Sequence, residues 1–108
     1  MKILDAKQFF LDATSAGESE VFLTNGAQMT VEVYGEASTF SVTIMGQAAL
    51  KPIDEWTELA TIRANDFDVN TKLTAKGIYF VALDGIGRVK AVIENTDGKI
   101  SVSGKIGE

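Results

Sequence analysis

The chain contains no cysteine and no histidine. Without cysteine it can form neither disulfide bonds nor thiolate metal sites, although the redox compartment stays undetermined. Without histidine it lacks the side chain that most often serves as a general acid or base near neutral pH. No G-x-S-x-G motif marks a serine nucleophile. We therefore expect a protein that is not an enzyme and needs no cofactor.

Positive charge and long apolar runs are also scarce. Ten Lys and Arg residues stand against fifteen Asp and Glu, which gives a net charge of −5. Nucleic-acid binding depends on clustered basic residues, so we expect no nucleic-acid partner. The longest apolar runs are too short to span a bilayer, and "MKILDAKQFFLD" lacks the apolar stretch of a signal peptide. We expect no membrane partner, and synthesis in the cytoplasm.

What the chain does contain is typical of one globular domain. Of its 108 residues, 45% are hydrophobic and 23% are charged. A chain of this length buries roughly 65% of its extended surface on folding, which is enough for a stable hydrophobic core without disulfides or bound metals. The sequence therefore predicts a single domain over residues 1–108.

The end of the chain alternates apolar and polar residues in two segments. Residues 89–94 and 100–106 have the pattern of strands buried on one face, and 95–98 are turn residues. The pattern predicts a hairpin in one of two registers. A four-residue loop sets Ile93 against Ile100, whereas a two-residue Asp-Gly loop sets Ile93 against Val102.

Similar segments occur earlier. Asn25-Gly26 predicts a tight hairpin between Val21 to Leu23 and Met29 to Tyr34. A third strand should follow, with Phe40, Val42 and Ile44 facing inward. The three strands are expected to be consecutive in an antiparallel sheet.

The middle of the chain is less regular. Pro52 should interrupt strand pairing, a fourth strand is expected from Trp56 to Arg63, and a short one around Phe67 to Val69. Residues 78–83 are apolar on both faces, which predicts a central covered strand or a subunit interface. With about seven strands, the expected fold is all-β: an antiparallel β-sandwich of immunoglobulin-like or jelly-roll type.

Residues 1–18 allow two interpretations. Asp5-x-x-Gln8 resembles a capping box and would begin a short helix. Phe9 to Leu11 could equally form an edge strand or a docking arm.

Two motifs resemble ligand sites but are better explained as loops. "DGIGR" is too short for a dinucleotide motif and predicts a turn with positive φ at Gly85 or Gly87. "DFDVN" places Asp66, Asp68 and Asn70 at the spacing of calcium ligands. Thr71 and Gly77 stand where a calcium loop needs glycine and glutamate, so no metal site is predicted.

Aromatic residues offer another kind of site. Tyr34 and Trp56, together with Tyr79, could form a stacking platform for a sugar, since flat rings with a polar handle suit pyranose faces. For a single tryptophan in a small sandwich, a core position is the competing interpretation.

The second half of the chain resembles the small β-sandwich proteins carried among the structural genes of tailed bacteriophages. In that group a Trp-x-x-Leu strand precedes a Gly-x-Tyr strand, a glycine turn, an arginine-bearing strand and a final strand rich in serine, valine and glycine. The matching residues are Trp56, Leu59, Gly77, Tyr79, 84–88 and 102–104.

The resemblance implies a virion component made in the host cytoplasm: a head-decoration or head-fibre-like protein, or a small tail-associated module. Its partners would be other virion proteins and further copies of itself. On this interpretation, the candidate interface residues are Phe9, Phe10, Leu11, Ile78 and Phe80. The alternative is a carbohydrate-binding module that uses Tyr34 and Trp56.

Overall fold

The computed structural model describes residues 5–24, 28–48 and 55–106, and in those ranges it contains eleven β-strands and no helix. In chain order the strands are β1 (Asp5–Ala13), β2 (Gly17–Glu18), β3 (Phe22–Leu23), β4 (Gln28–Gly35), β5 (Phe40–Ala48), β6 (Thr57–Glu58), β7 (Thr61–Arg63), β8 (Val69–Asn70), β9 (Gly77–Ala82), β10 (Ile86–Thr96) and β11 (Ile100–Ile106). These ranges contain no helix that is long and apolar enough to cross a membrane.

The strands form two antiparallel sheets. The first sheet has the order β1-β11-β4-β9-β7-β8. The second sheet has the order β2-β10-β5-β6, and β3 also pairs with β10. The predicted antiparallel β-sandwich is confirmed. The strand number exceeds seven because β2, β3, β6 and β8 have only two residues each.

The core lies between the sheets and is built from alternate side chains of the long strands. Because the side-chain period of a strand is two, every second residue of β4, β5, β9, β10 and β11 points inward. The largest fully buried side chains are Met29, Val31, Val33, Val42, Ile44, Leu73, Tyr79, Val81, Leu83, Val89, Ile93 and Ile100. Full burial of an aliphatic side chain of this size contributes about 1.5–3 kcal/mol.

The predicted hairpin of the last two long strands is wrong in its pairing. β10 pairs with β5, with Ile93 opposite Val42, whereas β11 pairs with β4 in the other sheet, with Ile100 opposite Gly35. Neither predicted register therefore applies. The buried faces were predicted correctly, because alternation shows which side chains point inward but not which strand lies alongside.

The second predicted hairpin is also wrong. β3 pairs with β10 in the second sheet, and β4 lies between β11 and β9 in the first. β5 then returns to the second sheet, so the three predicted consecutive strands do not form one sheet. The Asn25-Gly26 turn lies outside the described residues. Phe40, Val42 and Ile44, which were predicted to face inward, are buried, and so are Met29, Val31 and Val33 of β4.

The single strand predicted from Trp56 to Arg63 is divided between the sheets. β6 belongs to the second sheet and β7 to the first, and Leu59 between them donates its backbone N–H to Ile44 O at 2.8 Å. The short strand expected around Phe67 to Val69 begins two residues later, as β8, and overlaps the prediction at Val69. Pro52 lies outside the described residues.

The N-terminal segment is an edge strand rather than a helix. β1 pairs with β11, and its register shifts between Gln8 and Phe10 and again before Ala13. Such irregularities protect an exposed sheet edge from pairing with another chain. Phe9 packs into the core, where its ring meets Phe22 edge to face at a centroid distance of 5.4 Å. Burial of that aromatic ring anchors the strand.

β9 has the central place expected of a strand with two apolar faces. It lies between β4 and β7, and Tyr79 and Val81 face the core. The turn that follows contains Gly85 with a φ of 79°, as the "DGIGR" motif predicts.

Candidate functional site

The five predicted interface residues do not come together. Phe9 is 6% exposed and belongs to the core, which corrects its assignment to a surface. Phe10 is partly buried against the same core, whereas Leu11 is 67% exposed. All three lie on β1 at one edge of the first sheet, separated by β11 and β4 from Ile78 and Phe80 on β9.

Ile78 and Phe80 belong to an apolar patch on the outer face of the first sheet. Phe80 lies opposite Ile62 of β7, and Ile62 lies opposite Val69 of β8. Ile62, Val69 and Ile78 are 41%, 61% and 43% exposed. We define these four residues, Ile62, Val69, Ile78 and Phe80, as the apolar patch. Contiguous exposed apolar surface of this kind marks interaction sites more often than scattered residues do.

Sequence reasoning missed Ile62 and Val69. They stand on strands of three and two residues, which are too short to show an alternation. The available signal was an apolar residue next to charged neighbours in "TIR" and "FDVN". An isolated exposed apolar residue is ordinary, so the signal gains meaning only from the strand order.

The turn between β7 and β8 presents a further aromatic side chain beside the patch. Phe67 is 74% exposed and has a φ of 58°, in the left-handed region that bulky residues avoid. The backbone is held there by hydrogen bonds from Phe67 N to Arg63 O at 2.8 Å and from Arg63 N to Asp68 O at 2.9 Å. Such a conformation costs on the order of 1–3 kcal/mol and persists where the surroundings fix it.

The acidic residues of the same turn serve its own structure. Asp66 accepts a hydrogen bond from Asp68 N at 3.1 Å and forms an ion pair with Arg63 at 3.5 Å. The Asn70 side chain donates to the Asp68 carboxylate at 3.1 Å. The calcium-like spacing of "DFDVN" is thus used for turn geometry. No group of three or more acidic residues in the described ranges is placed to hold a metal ion.

Trp56 lines a cleft next to β6 in the second sheet. The cleft has a volume of about 540 Å³, and its walls include Gln47, Glu55, Thr57 and Ile86. Trp56 is half-buried, and the Lys90 ammonium lies 4.3 Å from its ring centroid. A cation at this distance is attracted by the ring face.

Lys90 is the most buried charged side chain of the second sheet's outer face. It is 8% exposed, donates a hydrogen bond to Glu18 at 2.7 Å and also contacts the tryptophan ring. The pairing compensates the cost of removing the ammonium from water. One cation therefore ties β2, β10 and the chain before β6 together.

Tyr34 lies on the opposite sheet from Trp56. It is 37% exposed on β4, and its hydroxyl accepts a hydrogen bond from the Gln8 side chain at 3.3 Å. The predicted platform formed by both rings is therefore wrong, because the two sheets separate them. The cleft described above is lined by Trp56 and not by Tyr34.

A second charged cluster covers the other end of the second sheet. Lys72 contacts Glu94 at 2.9 Å and Glu58 at 3.0 Å, and Ser41 and Thr43 both donate to the Glu94 carboxylate at 3.0 Å. The hydrogen bonds from Lys72 and Ser41 lower the pKa of Glu94 below its ordinary value. The hydrogen bonds to Glu94 and Glu58 raise the pKa of Lys72. Both groups are thereby held in their charged forms, as expected of a structural ion cluster.

Comparison with known proteins identifies the fold. No family model matches the chain, and no curated protein does. The crystal structure of the SPBc2 prophage-derived protein YomS matches with a TM-score of 0.84 and 21% identity, covering 98% of this chain and 96% of that one. The crystal structure of the PBSX exported protein XepA matches with a TM-score of 0.87 and 21% identity, covering 96% of this chain and 37% of that one. At this identity the likeness shows a shared fold.

Proposed function

We propose that the chain is a non-enzymatic structural or interaction protein of a bacteriophage or prophage, acting through contacts of its surface with other phage proteins. The observation that carries the proposal is the match with a prophage-derived protein over nearly the whole of both chains. The resemblance of residues 56–104 to phage structural proteins points to the same setting. Fold alone does not determine function, so the proposal also needs a surface able to act.

The second structural match supports a modular role. The same sandwich spans 37% of XepA and nearly all of YomS, so it occurs both as one part of a longer chain and as a whole chain. In this chain the apolar patch and the exposed Phe67 provide a surface through which such a module could contact other proteins.

The finer proposal is a virion component of the head-decoration or head-fibre type. A decoration protein needs a robust core and a complementary surface of about 800 Å² per partner, and needs no perturbed catalytic group. The buried core and the exposed apolar patch support the finer proposal.

Particle association tests the proposal. The chain, with an epitope tag, is produced in cells that are releasing phage of the same genetic origin, and the particles are purified on a density gradient. We expect the tagged chain to co-migrate with the particles at a fixed ratio to the major capsid protein, while an unrelated tagged protein stays in the soluble fractions. Absence of the chain from washed particles would reject the virion role.

A carbohydrate-binding module is the second candidate, favoured by the cleft at Trp56. The ring, with Gln47, Glu55 and Thr57 beside it, provides an aromatic surface next to polar groups, as sugar sites do. Binding to a glycan array should be lost in Trp56→Ala and kept in Tyr34→Ala, since Tyr34 lies on the other sheet. Equal melting temperatures of the two variants would exclude misfolding as the cause. Absence of any glycan signal from the folded protein would reject this candidate.

A further inference from the structure

The outer face of the first sheet is divided into an apolar half and a polar half. The strand registers place two neighbouring rows of outward side chains across it. One row is Ala6, Lys105, Thr30, Phe80, Ile62 and Val69, and the next is Gln8, Ser103, Glu32 and Ile78. The apolar patch thus occupies β9, β7 and β8, while the side chains of β1, β11 and β4 are mainly polar.

The centre of this face is concave. Two shallow depressions of about 390 and 300 Å³ adjoin there, and both are lined by Glu32 and Ile78. Projecting side chains of another surface could enter these depressions. Shape complementarity of this kind distinguishes a specific interface from a chance contact.

Two opposite charges in neighbouring rows make the face complementary to itself. Glu32 and Lys105 are both exposed, and neither forms an ion pair with another described residue. They lie diagonally across β4 and β11, because Glu32 pairs with Ser103 and Lys105 pairs with Thr30. Each charge is therefore available to a group outside the molecule.

A second copy fits this arrangement. The second copy lies face to face with the first, and a two-fold axis runs across the strands between the two rows. The first row of each copy then lies over the second row of the other copy. Phe80 then opposes Ile78 of the second copy, and Lys105 approaches its Glu32. By symmetry every such contact occurs twice, as in isologous interfaces.

The size of the face is that of a small interface. Six strands at a spacing of about 4.8 Å make it roughly 24 Å wide, and the four strands of six or more residues, β1, β11, β4 and β9, make their part of it about 20 Å long. This footprint of roughly 480 Å² is below the ~800 Å² per partner of a standard interface, as in weak and reversible associations.

We propose that the outer face of the first sheet is a self-association surface, on which a second copy of this chain docks through the apolar patch and the Glu32 and Lys105 charges. The biological role of this surface rests on the proposed function, because self-association would serve assembly of a phage structure.

Sedimentation velocity across a range of concentrations tests the surface. We expect the wild-type chain to associate reversibly, and Ile78→Asp to weaken association at least tenfold. Leu23→Asp is the matched control, because Leu23 is 76% exposed but lies on β3 in the other sheet. It should leave association unchanged.

A charge exchange separates docking from folding. Glu32→Lys or Lys105→Glu alone should weaken association several-fold, and the double variant should restore it, while thermal melting changes little in all three. A wild-type monomer at every concentration would overturn the proposal, as would association insensitive to Ile78→Asp or not restored in the double variant. A chain that stays monomeric but co-purifies with phage particles would refute self-association and leave the proposed function standing. A chain that self-associates but is absent from the particles would refute the virion role and leave the self-association surface standing.

Discussion

Gly35 is a position that the fold reserves for glycine. Its φ is 131°, and a Cβ added to it would lie 2.6 Å from the carbonyl oxygen of Lys99, a backbone atom that cannot move aside cheaply. We predict that Gly35→Ala lowers the free energy of unfolding by about 2 kcal/mol or more, from strain and overpacking together. Urea denaturation measures the change. Gly17→Ala is the control, since nothing lies within 4 Å of its added Cβ, and equal stability of the two variants would contradict the argument.

Phe67 illustrates the opposite case, a residue that strains its own backbone. Because it is 74% exposed and has a φ of 58°, replacing it removes strain and little buried area. Asparagine tolerates the left-handed region, so Phe67→Asn should raise the free energy of unfolding by about 1 kcal/mol. Leu11→Asn, at a residue 67% exposed whose φ is not positive, should bring no gain in the same denaturation assay. A less stable Phe67→Asn variant would show that the ring stabilises the turn.

Single strands were predictable from the sequence, but their neighbours were not. β10 and β11 alternate apolar and polar residues, so their inward residues could be read directly. Residues 78–83 are apolar on both faces, so alternation does not show which side of β9 faces outward. The turn at Asp97 and Gly98 leads from β10 in the second sheet to β11 in the first. Turn residues indicate that the chain reverses, but not whether the next strand pairs with the preceding one or joins the other sheet. The pairing of β10 with β5 therefore could not be predicted. The apolar patch was only half found for the same reason, since Ile62 and Val69 join it through strand order.

The Lys72 and Glu94 cluster makes stability depend on pH. The pKa of Glu94 is lowered in the folded state, so its contribution is present above about pH 4.5 and is lost as the pH falls through the folded pKa. We predict that Glu94→Gln lowers the melting temperature at pH 7, and that the difference from wild type shrinks below pH 4. Glu36→Gln is the control, because Glu36 forms no ion pair with another described residue. A difference that stays constant from pH 7 to pH 3 would exclude the electrostatic explanation.

The molecule as a whole is held by contacts between distant parts of the chain. β1 pairs with β11, and β5 pairs with β10, so strands about 40 or more residues apart in the chain must meet before either sheet is complete. Loop closure over such separations costs entropy before the contacts form, which makes sandwiches slow folders.

We therefore predict that the chain refolds on a timescale of about milliseconds to seconds, as β-sandwiches of high contact order do. Trp56 is the only tryptophan and packs against Lys90 from the second sheet, so its fluorescence reports when that sheet is assembled. Stopped-flow refolding from urea gives the rate. Lys90→Met, which retains packing but removes the cation, should speed unfolding more than it slows refolding if the Trp56 contact forms late. Refolding within microseconds would contradict this account, because it would require local contacts to dominate a fold in which the described pairings join distant strands.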